Sequence, residues 1–82
     1  MEQIPRITAV QPLEGTRLFV QFDNNCTRLY DCATIMVKPA FRLLKDPGFF
    51  KTVKVDTGGY GIVWNDDVDL SEYELWTNGR EK

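Results

Sequence analysis

The stretch DTGGYGIVWNDDVDLS, Asp56 to Ser71, holds the residue types that could do chemistry. Gly58, Gly59 and Gly61 are the kind of glycines whose bare backbone can cradle a phosphate. Asp66, Asp67 and Asp69 carry the oxygens that calcium prefers. Neither pattern is complete. A dinucleotide fingerprint needs GxGxxG between a strand and a long helix, and a P-loop needs GxxxxGK[ST]. Here a strand-like GIVW follows the glycines, with no lysine or hydroxyl at the required offset. An EF-hand needs a loop of about twelve residues with a central glycine and a closing glutamate. A hairpin turn explains Gly58 and Gly59, because glycine supplies left-handed geometry there. A helix cap explains the aspartates. Asp69 and Glu72 make one capping box, with Val68 and Tyr73 as its staple, and Ser71 and Glu74 make a second, with Leu70 and Leu75. One of the two starts the last helix.

Other chemistries find less support. The chain has no histidine, which excludes histidine-based triads, histidine general bases and most zinc enzymes. Cys26 therefore has no histidine to activate it. Asp66, Asp67, Asp69, Glu72 and Glu74 offer carboxylates for acid–base work, but nothing nearby sets one pKa apart from another. A deep pocket is hard to build from 82 residues. The expectation is a non-enzyme with no metal and no cofactor; a small hydrolase ranks last. Cys26 and Cys32 do not form a staple signature, so reduced thiols and a cytoplasmic location are expected. No run of 18 apolar residues exists, and MEQIPRITAV lacks the form of a signal peptide, so no membrane association is expected.

The elements that must position these residues are short. Ile7–Val10 reads as a strand. Arg17–Phe22 alternates, with Leu18, Val20 and Phe22 on one face and Phe19 and Gln21 on the other. Asp23-Asn24-Asn25 is a tight turn, and Cys26–Tyr30 returns, completing an antiparallel meander. Ala33–Val37 suggests a single turn. Pro39 fits a helix start, with Ala40, Phe41, Leu43 and Leu44 as its apolar face. Asp46-Pro47 repeats the device and aims Phe49 and Phe50 at the core. Lys51–Asp56 and Tyr60–Trp64 pair as a hairpin, and helical turns run from about Leu70 to Trp76. The fold class is α+β: a small antiparallel sheet, made of a three-stranded meander plus a hairpin, with two or three short helices. One domain is expected, with its core over 4–76 and a frayed polar tail over 77–82.

Charge is unevenly placed. Lys38, Arg42, Lys45, Lys51 and Lys54 give residues 38–54 a net +4, while residues 55–82 carry a net −5. Either the acidic segment lies beside the basic one and offsets it, or the charges are solvated, or they meet partners as complementary patches.

The order PRITAVQPLEGTRLFVQFDNN, FRLLKDPGFFKTVKVD, GYGIVWNDDVDLS resembles the DUF2442 family of small bacterial domains over roughly residues 4–76. The resemblance rests on a PRI-x-x-V-x-P opening, a V-x-FDN turn, an L-x-DP-x-x-F link and a W-x-x-x-x-D-L close, Trp64 to Leu70. This chain has Asn25 where members often have glycine, and Asn65-Asp66-Asp67 where they often have Pro-Asn-Gly. The resemblance implies an α+β domain of no established activity. It also implies relatives fused to helix-turn-helix domains and genes beside small toxin-like partners, as in toxin–antitoxin-like or transcriptional systems.

The expected function is a non-catalytic interaction, accessory or regulatory module, binding a protein partner or a second copy. Its candidate surface comprises Tyr60, Trp64, Trp76, Lys38, Arg42, Lys45, Lys51 and Lys54. Tyr60 sits at a turn and is expected to be exposed. Trp64 packs in the core on one reading and anchors a partner on the other. The alternative function is nucleic-acid binding through the basic face of residues 38–54.

Overall fold

The computed structural model describes residues 4–81. Strands β1 (Ile7–Pro12), β2 (Arg17–Phe22) and β3 (Thr27–Asp31) form the meander, with β1 two residues longer than its apolar run and β3 one residue later. The alternation in β2 holds: Leu18, Val20 and Phe22 are buried, and Phe19 and Gln21 face out. The Asp23–Asn25 turn closes with Asn25 at φ 68°, the left-handed region that Asn tolerates best after glycine. The Phe22 N–H donates to the Cys26 carbonyl across it, at 2.9 Å.

Three differences follow from pairing that the sequence pattern does not show. First, the tail is docked. The last helix α2 runs Glu72–Asn78, and Arg80–Glu81 forms a short strand that pairs with Arg28 and Leu29 of β3. The expected frayed tail over 77–82 is corrected accordingly, with Lys82 outside the described residues. Second, Val68–Ser71 is a strand. Val68 and Leu70 are buried while Asp69 and Ser71 are exposed, the period of two that a half-buried strand requires. It pairs with Gly61–Asn65, matching Ile62 with Leu70. Asp69 is thus spent in a ladder, and Ser71 caps α2: the Glu74 N–H donates to Ser71 Oγ at 3.1 Å. The Glu74 carboxylate instead accepts from the Tyr30 hydroxyl at 2.8 Å, leaving the box half closed. Third, the hairpin strand expected over Lys51–Asp56 shrinks to Lys54–Val55. Lys51 and Thr52 close the preceding helix, their N–H groups donating to Pro47 and Phe49 carbonyls.

In chain order, Lys54–Val55 is β4, Gly61–Asn65 β5, Val68–Ser71 β6 and Arg80–Glu81 β7. The first sheet has the order β1-β2-β3-β7 and the second β4-β5-β6, all antiparallel. Helix α1 (Pro47–Phe50) begins as expected: Asp46 Oδ1 accepts from the Gly48 N–H at 3.0 Å and Pro47 occupies the first turn. One cluster of buried side chains unites both sheets with the helices and includes Leu18, Val20, Leu44, Ile62 and Leu75. The architecture is α+β.

The segment Pro39–Lys45 is a 3₁₀ helix rather than an α-helix. With three residues per turn, positions i and i+3 eclipse. Phe41 and Leu44 therefore share the inward ridge, and Leu44 is buried while Phe41 is half-buried. Ala40 and Leu43 share a second ridge, which faces solvent. Arg42 and Lys45 share the third. The expectation that Ala40 and Leu43 join the apolar face is overturned by this change of period.

Candidate functional site

The glycine loop is built as a turn. Asp56 Oδ1 accepts from the Thr57 N–H at 2.8 Å, and the Asp56 N–H donates to the Gly61 carbonyl at 2.9 Å. Gly58 and Gly59 lie at φ +80° and +76°, and a Cβ on Gly59 would stand 2.5 Å from the Ile7 carbonyl oxygen. Gly59 is buried against β1, where no phosphate can reach its backbone. Asp66 and Asp67 occupy the exposed β5–β6 turn, where Asn65 Oδ1 accepts from the Asp67 N–H at 2.9 Å. Among the described residues, no three acidic or cysteine side chains cluster as metal ligands would.

The candidate aromatics part company. Trp64 is only 6% exposed, and its indole N–H donates to the Phe50 carbonyl at 3.0 Å. It packs near Phe50, ring centroids 6.2 Å apart, and so leaves the list of surface anchors. The indole has buried its apolar body and found its one acceptor. Trp76 is half-buried, edge-on to Phe22 at 5.1 Å and covered by the Arg28 guanidinium 3.7 Å above its ring. Tyr60 is 57% exposed at the turn. The Arg6 guanidinium lies 4.0 Å from its ring centroid and donates to both Glu72 oxygens, at 3.3 and 3.2 Å.

All five basic candidates are exposed: Lys38, Arg42, Lys45, Lys51 and Lys54. The acidic segment does not neutralise them directly. Among the described residues, its ion pairs are Arg6–Glu72 and Arg28–Glu81, both to arginines earlier in the chain. Between these cations stand apolar groups that the sequence reading placed inside or passed over. Val37 is 83% exposed and Leu43 54% exposed. The structure thus brings Lys38, Arg42 and Lys45 together with Val37 and Leu43 along one short segment. Tyr60 and Trp76 belong to other elements, Tyr60 to the turn before β5 and Trp76 to α2.

The family model described as "Protein of unknown function (DUF2442)" matches residues 7–81. The chain belongs to the DUF2442 family. No curated protein and no solved structure matches it at a significant level. Among the described residues of this DUF2442 domain, no helix is long and apolar enough to cross a membrane. The basic segment adjoins a cleft of about 460 Å³, lined by Pro12, Leu13, Pro47 and Phe50 and rimmed by Glu14 and Lys51. The cleft is formed where the β1–β2 loop meets α1, a juxtaposition of residues far apart in sequence. Pro39 and Asp46-Pro47 bracket a segment too short for stable α-helix, but the exposure of Leu43 follows from the 3₁₀ period that the segment adopts.

Proposed function

We propose that this DUF2442 chain is a non-catalytic interaction module whose docking surface is the basic, apolar segment from Val37 to Lys45. Its partner is a protein with an acidic surface and a protruding apolar side chain. One observation carries the reading: Val37 and Leu43 stand exposed among Lys38, Arg42 and Lys45, and none of those cations has an acidic partner within 4.0 Å among the described residues. A solvated charged face does not need exposed branched aliphatics, and such groups on the same short segment as exposed cations suit a protein surface. The apolar cleft beside Lys51 offers a place for the partner's side chain. The free thiols of Cys26 and Cys32 support a reducing compartment such as the cytoplasm.

Nucleic-acid binding is the second reading, favoured by the same cations. The two separate cleanly. The tagged chain is used to capture partners from its host, beside a Val37→Ser/Leu43→Ser variant and a Lys38→Glu/Arg42→Glu/Lys45→Glu variant. These positions are exposed, so circular dichroism should be unchanged. The proposal expects one acidic protein in stoichiometric amount, resistant to nuclease and lost with both variants. Nuclease-sensitive material retained by the apolar variant and lost with the charge variant would establish nucleic-acid binding instead.

A further inference from the structure

A second cleft, of about 670 Å³, opens where β2, β3 and β7 meet α2. It is lined by Arg17, Leu29, Tyr30, Asp31, Thr34, Glu74, Asn78 and Arg80, drawn from β2, β3, the turn that follows β3, α2 and β7. Strand register places its two arginines. Arg17 of β2 lies opposite Asp31, and Arg80 of β7 lies opposite Leu29, two residues back on the same strand. Directly opposed residues share a face, and residues two apart on a strand do too. Arg17, Asp31, Leu29 and Arg80 therefore all project from the outer face of the first sheet. The two arginines flank β3 with Cα atoms roughly 12 Å apart, from strand spacing and rise. Two such side chains, each about half that length, can converge above Leu29.

Which groups in this cleft remain free decides what it binds. Asp31 Oδ1 accepts from the Thr16 hydroxyl at 2.7 Å and from the Ala33 N–H at 2.9 Å. Glu74 Oε2 accepts from the Tyr30 hydroxyl at 2.8 Å, and Tyr30 is itself 98% buried by the complement of its 2% exposure. Both carboxylates are thus drawn into the framework by neutral donors. Neither arginine forms an ion pair within 4.0 Å among the described residues, although Asp31 is the acid nearest to them in register. Arg17 makes one long bond, 3.5 Å, from Nε to the Glu14 carbonyl, which leaves its paired terminal nitrogens unused. The cleft presents two planar donor forks, with the Asn78 amide at its wall.

We propose that this cleft binds a small dianion, a dicarboxylate or a phosphate, gripped by Arg17 and Arg80 together. A guanidinium fork matches the paired oxygens of either group. A monoanion engages one arginine only, and because Asp31 and Glu74 repel every anion in proportion to its charge, contact with both guanidinium groups is needed to hold the ligand. The site is distinct from the basic segment and does not depend on the docking surface proposed above.

The test is a ¹H–¹⁵N NMR titration of the whole chain with succinate, inorganic phosphate and acetate. Saturable shifts are expected with succinate or phosphate at the amides of Arg17, Leu29, Asp31, Asn78 and Arg80, with acetate weaker. Which dianion saturates first separates the two ligand chemistries. Arg17→Gln and Arg80→Gln should each weaken binding roughly tenfold, while Lys38→Gln should not. Both arginines are exposed, and the spectrum itself reports whether each variant is folded. Linear, unsaturated shifts, or binding unaltered by the double arginine variant, would overturn the proposal.

Discussion

Arg28 is joined to Trp76 twice. Its guanidinium lies 3.7 Å above the indole ring, and its Nε donates to the Trp76 carbonyl at 3.3 Å. Arg28 is the buried charged residue among those described, and it ties β3 to α2 by charge and by surface together. Trp76 is therefore a buttress of the fold rather than an open anchor. Arg28→Ala should lower stability by about 2–3 kcal/mol, combining a desolvated cation–π contact with a charged hydrogen bond. Arg28→Lys should recover part of it, since lysine keeps the charge but loses the planar stack. Urea unfolding followed by tryptophan fluorescence measures both. Wild-type midpoints in the two variants would show that the stack is incidental.

The two turn glycines should differ in cost. Both require left-handed backbone, which alone disfavours alanine by about 1–2 kcal/mol. At Gly58 the added Cβ meets the Tyr60 ring at 2.8 Å, and that ring is exposed and can move aside. At Gly59 it meets the Ile7 backbone carbonyl at 2.5 Å, which cannot move without shifting β1. Gly58→Ala should then cost about 1–2 kcal/mol and Gly59→Ala about 3 kcal/mol or more. Equal costs in chemical denaturation would mean that the turn relaxes as a unit.

How much of this was readable beforehand depends on the range of the deciding interaction. Leu18, Val20 and Phe22 declare their face by alternation alone, and Asp46-Pro47 declares a helix start by local chemistry. Val68–Ser71 misleads because acids followed by serine and glutamate also spell a cap, and only pairing with β5 decides for the strand. Arg80–Glu81 is polar and short, so its docking on β3 leaves no trace in the pattern. The candidate site divides in the same way. The cations of residues 38–54 were visible as charge, whereas the exposure of Leu43 depends on a helix with a period of three. The arginine cleft was invisible, since Arg17 and Arg80 meet only through the order of the strands.

The two thiols should react very differently. Cys32 is fully buried, and burial pushes its thiol up to about 12, while Cys26 is half-buried beside the Asp23–Asn25 turn. Only thiolate attacks an alkylating reagent, so at neutral pH iodoacetamide should label Cys26 and spare Cys32. In concentrated urea both should label. The sign of the linkage follows from the raised value. The fold favours the neutral thiol, so its contribution is intact below the ordinary value of 9.0 and declines as pH rises from there towards 12. Mass spectrometry of labelled peptides decides the matter, and equal labelling in the folded state would place Cys32 within reach of solvent.

Asp31 should supply part of the protein's sensitivity to acid. The Ala33 N–H, and then the Thr16 hydroxyl, hold its carboxyl below the ordinary value of 3.8, with a further contribution from the positive field of Arg17 and Arg80. The fold therefore favours the ionised form. Its contribution is fully present above 3.8 and is lost as pH falls through the lower folded value. Asp31→Asn keeps an oxygen that can still cap the turn, but removes the charge. The wild type should be the more stable at neutral pH, and the two should converge as pH falls through the lowered folded value, once Asp31 is protonated in both states. Urea midpoints measured across that range give the comparison. An advantage that persists undiminished in acid would assign the stabilisation to the shape of the turn rather than to the charge of Asp31.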